Sequence, residues 1–333
     1  MHCTWAWLYL CASLCAGDDK PYRTLDTLPK LTKQHDAIRS CQTISHNMYL
    51  HEVMFNRIVS DMFLENLVPG GYVLDAGAHT GENACLYASL APDRRVLAIE
   101  PIEANVAAIQ NRGLSNIDVM NAVLASFTGK ISLDAAALRN TTGQQLQGTS
   151  RASVNAKSTV RLPAHRVDDL FAQRKLGFVH LDVEGEEINV LKGAMHTLRR
   201  DRPIFTAELH VHLNQSQSSA LIALGRAVRH IAYVVENDSG GTCGARMDCR
   251  NIIFVPSESK NVHTALEKYV QRGHLVKVDQ NTILSLAHPC CIPGGACCAN
   301  GNEPLSKPHR CCVARTVNPF EKQGGAVVND RGG

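Results

Sequence analysis

The sequence predicts an α/β fold in which a mostly parallel sheet carries helices on both faces. Three observations predict it. Between residues 46 and 258, short apolar runs alternate with segments of helical periodicity, the connections are short, and several apolar runs end in an acidic residue. Strands that alternate with helices in this way form parallel sheets through right-handed crossovers. Because ligands bind such sheets beyond the carboxyl ends of the strands, the acidic residues mark the expected site.

The first of these runs leads into a glycine-rich turn and then a helix. Asp75 ends the run, and the turn that follows, called the glycine turn below, covers residues 77–81. Gly77 and Gly81 give the segment the spacing Asp-x-Gly-x-x-x-Gly. Glycines let a backbone come close to a ligand, and the first N–H groups of a helix point toward it. The spacing differs from the Gly-x-Gly-x-x-Gly of pyrophosphate sites, so it favours another nucleotide-like cofactor.

A second carboxylate follows at the distance expected of a ribose-binding acid. Glu100 ends the next apolar run, about 20 residues beyond the glycine turn. A carboxylate there can accept hydrogen bonds from both ribose hydroxyls, while Asp75 can pair with a cationic amino group. These two tasks fit S-adenosylmethionine better than a nicotinamide cofactor. Asn121 ends the following strand and is predicted either to face the adenine edge or to cap the turn.

Two later strands also end in polar residues. Asp182 ends the run that begins at Phe178, and Glu184 follows it directly in the loop. Glu208 and His210 lie at the end of the next run. The carboxyl ends of parallel strands share one edge of a sheet, so we expect all four side chains on the rim that holds the glycine turn.

One long helix is predicted after this loop. Acidic residues lie in its first turn, Arg199 and Arg200 lie in its last, and four apolar residues share one face. The four are Ile188, Leu191, Met195 and Leu198.

Earlier in the chain, the polar stretch between Gly129 and Ser158 predicts a hairpin and a flap near the site.

Three motifs between residues 70 and 256 are specific to one family. They are Leu-Asp-Ala-Gly-Ala-His-Thr-Gly, then Leu-Asp-Val-Glu-Gly-Glu-Glu followed by Val-Leu-Lys-Gly-Ala, and finally Arg-Pro followed by Glu-Leu-His. In these the chain resembles the FkbM family of S-adenosylmethionine-dependent methyltransferases. The resemblance implies a class I methyltransferase, Rossmann-like sheet of seven strands, the last antiparallel. The chain departs from the family at His79, which is often asparagine, and at His180, where lysine is common.

The resemblance also implies O-methylation, which we expect on a hydroxyl of a small molecule or glycan. Glu184 and His210 are the candidate general bases, and Asp182 is expected to orient the substrate or the base. The alternatives are a helix cap for Glu184 and an ordinary surface position for His210. A divalent cation held by the same acids is the second interpretation, and no metal is predicted. The expected cofactor-binding residues are Asp75, Gly77, His79, Thr80, Gly81, Glu100, Asn121 and Asp182.

Charge and composition narrow the class of partner. The chain has 34 Lys and Arg against 31 Asp and Glu, so it carries no strong field for nucleic acid, and no nucleic-acid partner is expected. Two other functions stay open at this point. One is a nicotinamide-dependent oxidoreductase, and the other is a secreted binding protein on a methyltransferase-like scaffold.

The chain divides into five predicted regions. Residues 1–17 read as a signal peptide, because a short apolar run ends in small residues; a segment packed on the domain is the alternative. If this run stays attached, it is the expected route of membrane association. Residues 18–45 are a lead-in and residues 46–258 the methyltransferase domain. Residues 259–284 form a helix and strand extension, and residues 285–333 a cysteine-rich, partly disordered tail.

The 13 cysteines are many for a reduced compartment. Six of them lie in vicinal pairs in the tail, which predicts a disulfide-stapled module, with zinc binding as the competing idea. Cys243 and Cys249 flank a turn and are candidates for a local disulfide, whereas Cys85 is predicted to be a small buried hydrophobic residue. We therefore expect the secretory pathway or the extracellular space. A cytoplasmic location is the alternative, because S-adenosylmethionine is made there.

Overall fold

The computed structural model describes residues 36–41, 50–134, 159–210, 215–235, 249–272, 274–278, 283–285 and 315–317. The N-terminal apolar run, Cys243 and the tail cysteines lie outside these residues. Within them, no helix is both long enough and apolar enough to cross a membrane.

The described residues form the following strands and helices. The strands are β1 (Tyr72–Ala76), β2 (Val96–Ile99), β3 (Ile117–Met120), β4 (Val123–Leu124), β5 (Gly129–Asp134), β6 (Thr159–His165), β7 (Leu176–Leu181), β8 (Ile204–His210), β9 (His230–Val235), β10 (Cys249–Pro256), β11 (Leu275–Val278), β12 (Ile283–Ser285) and β13 (Arg315–Val317). The helices are α1 (Asp36–Cys41), α2 (Leu50–Leu64), α3 (Glu82–Leu90), α4 (Glu103–Asn111), α5 (Val167–Leu170), α6 (Glu187–Lys192), α7 (Met195–Asp201), α8 (Gln215–Ala227) and α9 (Lys260–Gln271).

The central sheet has the strand order β11-β9-β10-β8-β7-β1-β2-β3. Strands β3, β2, β1, β7 and β8 are parallel, and β10 is inserted antiparallel between β8 and β9. The predicted fold class is thus confirmed, including the antiparallel strand. The sheet has eight strands instead of seven, because β11 pairs antiparallel with β9 at the edge.

A second, smaller sheet lies beside the first, with the strand order β4-β6-β5. Strands β5 and β6 pair antiparallel, as expected of the predicted hairpin. The connection between them, which includes most of the predicted flap, lies outside the described residues.

The central sheet is buried on both faces because successive residues of a strand point in opposite directions. Val73 packs in the cluster that α2, α3 and α9 cover, whereas its neighbour Leu74 packs in the cluster on the other face. On that second face Phe205 and Phe254 stack with their ring centroids 4.3 Å apart. Burial on both sides explains why these strands are nearly continuous apolar runs in the sequence.

The prediction of one long helix after the loop that follows β7 is wrong. The chain forms two helices, α6 and α7, separated at Gly193. A Cβ atom on Gly193 would lie 2.2 Å from the carbonyl oxygen of Ala125, so the backbone of another segment approaches the chain there. Asp168 then starts the second helix by accepting the backbone N–H of Thr197 at 2.8 Å. The apolar periodicity is continuous across the break because both helices pack on the same sheet face.

Cys85 is buried in a core helix, as predicted, but it is not a free thiol. Cys85 in α3 forms a disulfide with Cys41 in α1, across 44 residues of sequence. Arg112 supports the same junction, since its Nη1 donates to the carbonyl oxygen of Cys41 at 3.1 Å and its Nε to that of Thr80 at 2.8 Å. The N-terminal helix is therefore fastened to the helix that follows the glycine turn.

We predict that breaking this disulfide lowers the free energy of unfolding by about 3 to 4 kcal/mol, because the bond restricts a long loop in the unfolded chain. The measurement is a double-mutant cycle with Cys41→Ala, Cys85→Ala and the double variant in denaturant without reductant. Each single variant already loses the bond, so the double variant should be hardly less stable than either one. Single effects that simply add would contradict the bond.

Candidate functional site

The candidate site lies where the strand order of the sheet reverses. From β1 the chain proceeds to β2 and β3 on one side, and it returns through β7 and β8 on the other. The helix after β1 packs on one face of the sheet and the helix after β7 on the other, so this is a topological switch point, where such sheets bind their ligands. Asp75 lies in β1, while Glu100, Asn121 and Asp182 directly follow β2, β3 and β7. The structure thus brings these four predicted residues to one edge of the sheet.

The glycine turn packs backbone to backbone against the loop after β7. Gly77 has φ +77°, and a Cβ atom added to it would lie only 1.8 Å from the carbonyl oxygen of Asp182. The Asp182 N–H in turn donates to the carbonyl oxygen of Ala76 at 3.0 Å. Gly81, with φ +85°, precedes α3. Glycine is required at position 77 by both its conformation and the lack of space for a side chain.

Asp75 is a fully buried acid. It is 0% exposed, and within the described residues neither carboxylate oxygen has a hydrogen-bond partner. Burial raises the pKa of Asp75 well above its ordinary value, and the charges of Asp182 and Glu100 raise it further. The N–H of Ala84 lies close enough to oppose this shift without a hydrogen bond of normal geometry. A cation beside Asp75 would stabilise its ionised form.

Glu100 is also buried, but its carboxylate is well supplied with donors. Oε2 accepts the backbone N–H of His79 at 2.8 Å. Oε1 accepts the N–H of Ile102 at 3.0 Å and the side-chain amide of Asn105 at 3.2 Å. Burial raises the pKa of Glu100, and these three hydrogen bonds oppose that effect. A carboxylate has about four acceptor positions, so Oε2 can accept one more hydrogen bond from a ligand.

The side chains of His79 and Thr80 face the first residue of α3. The His79 ring is exposed and lies 3.9 Å from a carboxylate oxygen of Glu82, and the Thr80 hydroxyl donates to the other oxygen. Burial opposes the ionisation of Glu82, but its interactions with His79, Thr80 and Arg112 lower its pKa to about 2. These two predicted residues therefore shape the glycine turn through their side chains.

Asn121 adopts the capping alternative. Its side-chain amide nitrogen donates to the carbonyl oxygens of Glu100 at 3.0 Å and Pro101 at 2.9 Å. The amide oxygen is the atom through which Asn121 can still meet an adenine amino group.

The candidate catalytic residues lie at two neighbouring strand ends. Asp182 and Glu184 are partly buried in the loop between β7 and α6, and Glu184 has a left-handed φ of 54°. His210 ends β8, where its backbone pairs with Cys249; its side chain lies outside what the structure describes. Glu208, also partly buried, pairs with Asn251 on β10. In the described part of the chain, no three His, Cys, Asp or Glu side chains are grouped to hold a metal ion.

Three polar side chains, those of His180, Asn83 and Thr206, form a row centred on His180, which lies on the strand next to that of Asp75. No role was predicted for this row. His180 pairs with Asp75 across β1 and β7, and burial lowers the pKa of His180 to about 4. Its Nε2 lies 3.1 Å from the amide nitrogen of Asn83, and its Nδ1 lies 2.8 Å from the hydroxyl of Thr206. An amide nitrogen can only donate, so Nε2 accepts and the ring proton is on Nδ1. The sequence offered one indication of this row, since position 180 is a histidine where lysine is common in the family.

Residues 75–241 match the family described as "Methyltransferase FkbM domain". No curated protein sequence matches the chain. Among solved structures, methyltransferase FkbM from Methylobacillus flagellatus KT is 16% identical, with a TM-score of 0.37 over 66% of this chain and 58% of that one. An S-adenosylmethionine-dependent O-methyltransferase from Thermotoga maritima is 12% identical, with a TM-score of 0.35 over 68% and 71%. Aeropyrum pernix fibrillarin, with natively bound S-adenosylmethionine, is 13% identical, with a TM-score of 0.33 over 57% and 68%.

We predict that Gly77→Ala destabilises the protein by about 1 to 3 kcal/mol more than Gly113→Ala, because only position 77 lacks space for a methyl group. Gly113 is a matched control, since its φ is +69° and a Cβ atom there would meet nothing within 4 Å. The measurement is the free energy of unfolding of both variants in denaturant. Equal losses would show that the contact with Asp182 does not limit position 77.

Proposed function

The chain belongs to the FkbM methyltransferase family, and on that basis we propose that it transfers the methyl group of S-adenosylmethionine to a hydroxyl of a small molecule or glycan. The observation that carries the proposal is the state of Asp75. This carboxyl group is fully buried, has no hydrogen-bond partner within the described residues and lies in the field of Asp182 and Glu100. A positively charged ligand is the kind that offsets such an arrangement.

The residues at the strand ends suit the separate parts of this cofactor. Asp75 would pair with the ammonium group, and Oε2 of Glu100 would accept a ribose hydroxyl. The amide oxygen of Asn121 would meet the adenine amino group, while Gly77 and Gly81 keep the turn free of side chains. When bound, the cofactor supplies an electrophilic methyl group on a positively charged sulfur.

The proposed reaction moves the methyl group from sulfur to the substrate oxygen, leaving S-adenosylhomocysteine, while the hydroxyl proton passes to a base on the protein. A hydroxyl is a weak nucleophile at neutral pH, so this base is needed. Glu184 and His210 are the two candidates, and Asp182 would orient the substrate or the base. Alignment of the reacting atoms can contribute up to about 7 to 11 kcal/mol.

The charge balance and the disulfide support a class of substrate and a cellular compartment. Its nearly balanced charge supports a small hydroxyl compound or glycan over nucleic acid as substrate. The disulfide between Cys41 and Cys85 supports an oxidising compartment. We therefore propose that the protein acts in the secretory pathway or outside the cell. Membrane association would involve only the N-terminal apolar run, if it is not cleaved.

We predict that S-adenosylmethionine binds with micromolar affinity and that Glu100→Ala weakens it at least tenfold, about 1.4 kcal/mol, because a charge-assisted ribose contact is lost. Titration calorimetry measures both values, with NAD as the comparison ligand. Glu103→Ala is the control, since this exposed acid lies in the first turn of α4. Unchanged affinity in Glu100→Ala would remove this residue from the site, and tighter binding of NAD would refute the cofactor.

We predict that replacing the base lowers turnover by about 10²- to 10⁴-fold, because proton removal is lost, while the affinity for S-adenosylmethionine stays close to that of the wild type. The variants are Glu184→Gln and His210→Gln. The assay follows labelled methyl transfer from S-adenosylmethionine to a panel of simple glycosides, phenols and aliphatic alcohols. If both variants transfer methyl at the wild-type rate, neither residue is the base.

A further inference from the structure

We propose that Glu187 is a positioning residue for methyl transfer, whose carboxyl group fixes the loop that carries Asp182 and Glu184. This loop, residues 182–186, is called the acidic loop below. The inference rests on the proposed function, because it assigns a role to a residue that supports the candidate catalytic groups and does not itself touch the reacting atoms.

The evidence begins with two hydrogen bonds to one oxygen. Oε1 of Glu187 accepts the backbone N–H of Val183 at 3.2 Å and that of Gly185 at 3.2 Å. The side chain is only 4% exposed, so these bonds are shielded from water. They hold the acidic loop on both sides of Glu184.

Glu187 does not act as an ordinary helix cap. It lies at the start of α6, but a capping side chain accepts N–H groups two or three residues further along the helix. Glu187 instead accepts from Val183 and Gly185, which both precede the helix. Besides an interaction with its own N–H, its carboxyl group therefore reaches back to the loop before the helix.

The acidic loop needs this support because its backbone is unfavourable. Glu184 has φ 54° and Gly185 has φ 100°. A left-handed conformation is disfavoured for a residue with a side chain and persists only where its surroundings enforce it. At the other end of the loop, the Asp182 N–H is bound to the carbonyl oxygen of Ala76 at 3.0 Å. Glu187 supplies the second anchor, and Glu184 lies between the two.

Glutamine is the substitution that should preserve the role of Glu187, because it keeps an oxygen that accepts hydrogen bonds. Burial raises the pKa of Glu187 to about 7, and the charge of Asp182 acts in the same direction. In either protonation state Oε1 can accept both N–H groups, so the role requires an acceptor oxygen and not a charge. Glutamine presents the same acceptor in nearly the same shape, whereas alanine presents none.

The test compares Glu187→Ala with Glu187→Gln in the full-length chain. In Glu187→Ala we expect faster hydrogen exchange in peptides spanning residues 178–190 and a turnover about 10- to 100-fold lower, because the acidic loop is misplaced. Affinity for S-adenosylmethionine should change much less than turnover, because Asp182 remains bound to the carbonyl oxygen of Ala76. In Glu187→Gln, exchange and turnover should both be close to wild type. Glu103→Ala is the control and should leave both readouts unchanged, since Glu103 is an exposed acid in the first turn of α4.

Two results would overturn the proposal. One is wild-type exchange and turnover in Glu187→Ala, and the other is a Glu187→Gln variant as impaired as Glu187→Ala. If Glu187→Ala does not fold, Glu187→Met takes its place, because it has a similar size and no carboxyl acceptor. Failure of the wild type to bind S-adenosylmethionine would instead refute the proposed function, and the exchange measurement would still test the role of Glu187.

Discussion

The backbone contact between Gly77 and Asp182 is the constraint on which the candidate site depends. The two residues follow adjacent parallel strands at the point where the strand order reverses, and a Cβ atom on Gly77 would lie 1.8 Å from the Asp182 carbonyl oxygen. Because the two loops pack this closely, the side chain of Asp75 lies in the field of Asp182. Gly77 thus allows the close approach of the segments that carry these two acids.

The acids near the glycine turn differ in how many hydrogen bonds and charged partners the protein gives them, and this difference supports the proposed role of Asp75. Glu82 interacts with His79, Thr80 and Arg112, which lower its pKa to about 2 despite its partial burial. Asp75 is fully buried without a hydrogen-bond partner among the described residues, and burial raises its pKa well above the ordinary value. Unsatisfied buried groups that persist in a fold are expected at functional sites. On that criterion Asp75 is the acid best suited to a cationic ligand.

Sequence reasoning located the fold and the edge of the sheet correctly, because both depend on local patterns. The alternation of apolar runs and helical segments predicted the parallel sheet, and carboxyl ends of parallel strands must share an edge. Asp75, Glu100 and Asp182 were therefore predictable as neighbours at one edge of the sheet without any knowledge of packing. A strand was predicted in the extension of residues 259–284, but its pairing with β9 as the eighth strand of the sheet was not, because edge pairing leaves little trace in an apolar pattern.

The sequence alone determined the order of elements, the glycine turn, the strand-end acids and the family. Each of these depends on residues that lie close together along the chain. The tertiary structure alone decided which groups actually meet. The bond between Cys41 and Cys85 spans 44 residues, and the break at Gly193 is imposed by the backbone of Ala125. The support of the acidic loop by Glu187 depends on a left-handed backbone that periodicity does not reveal. Such contacts arise from packing in three dimensions, which a local pattern of residues does not reveal.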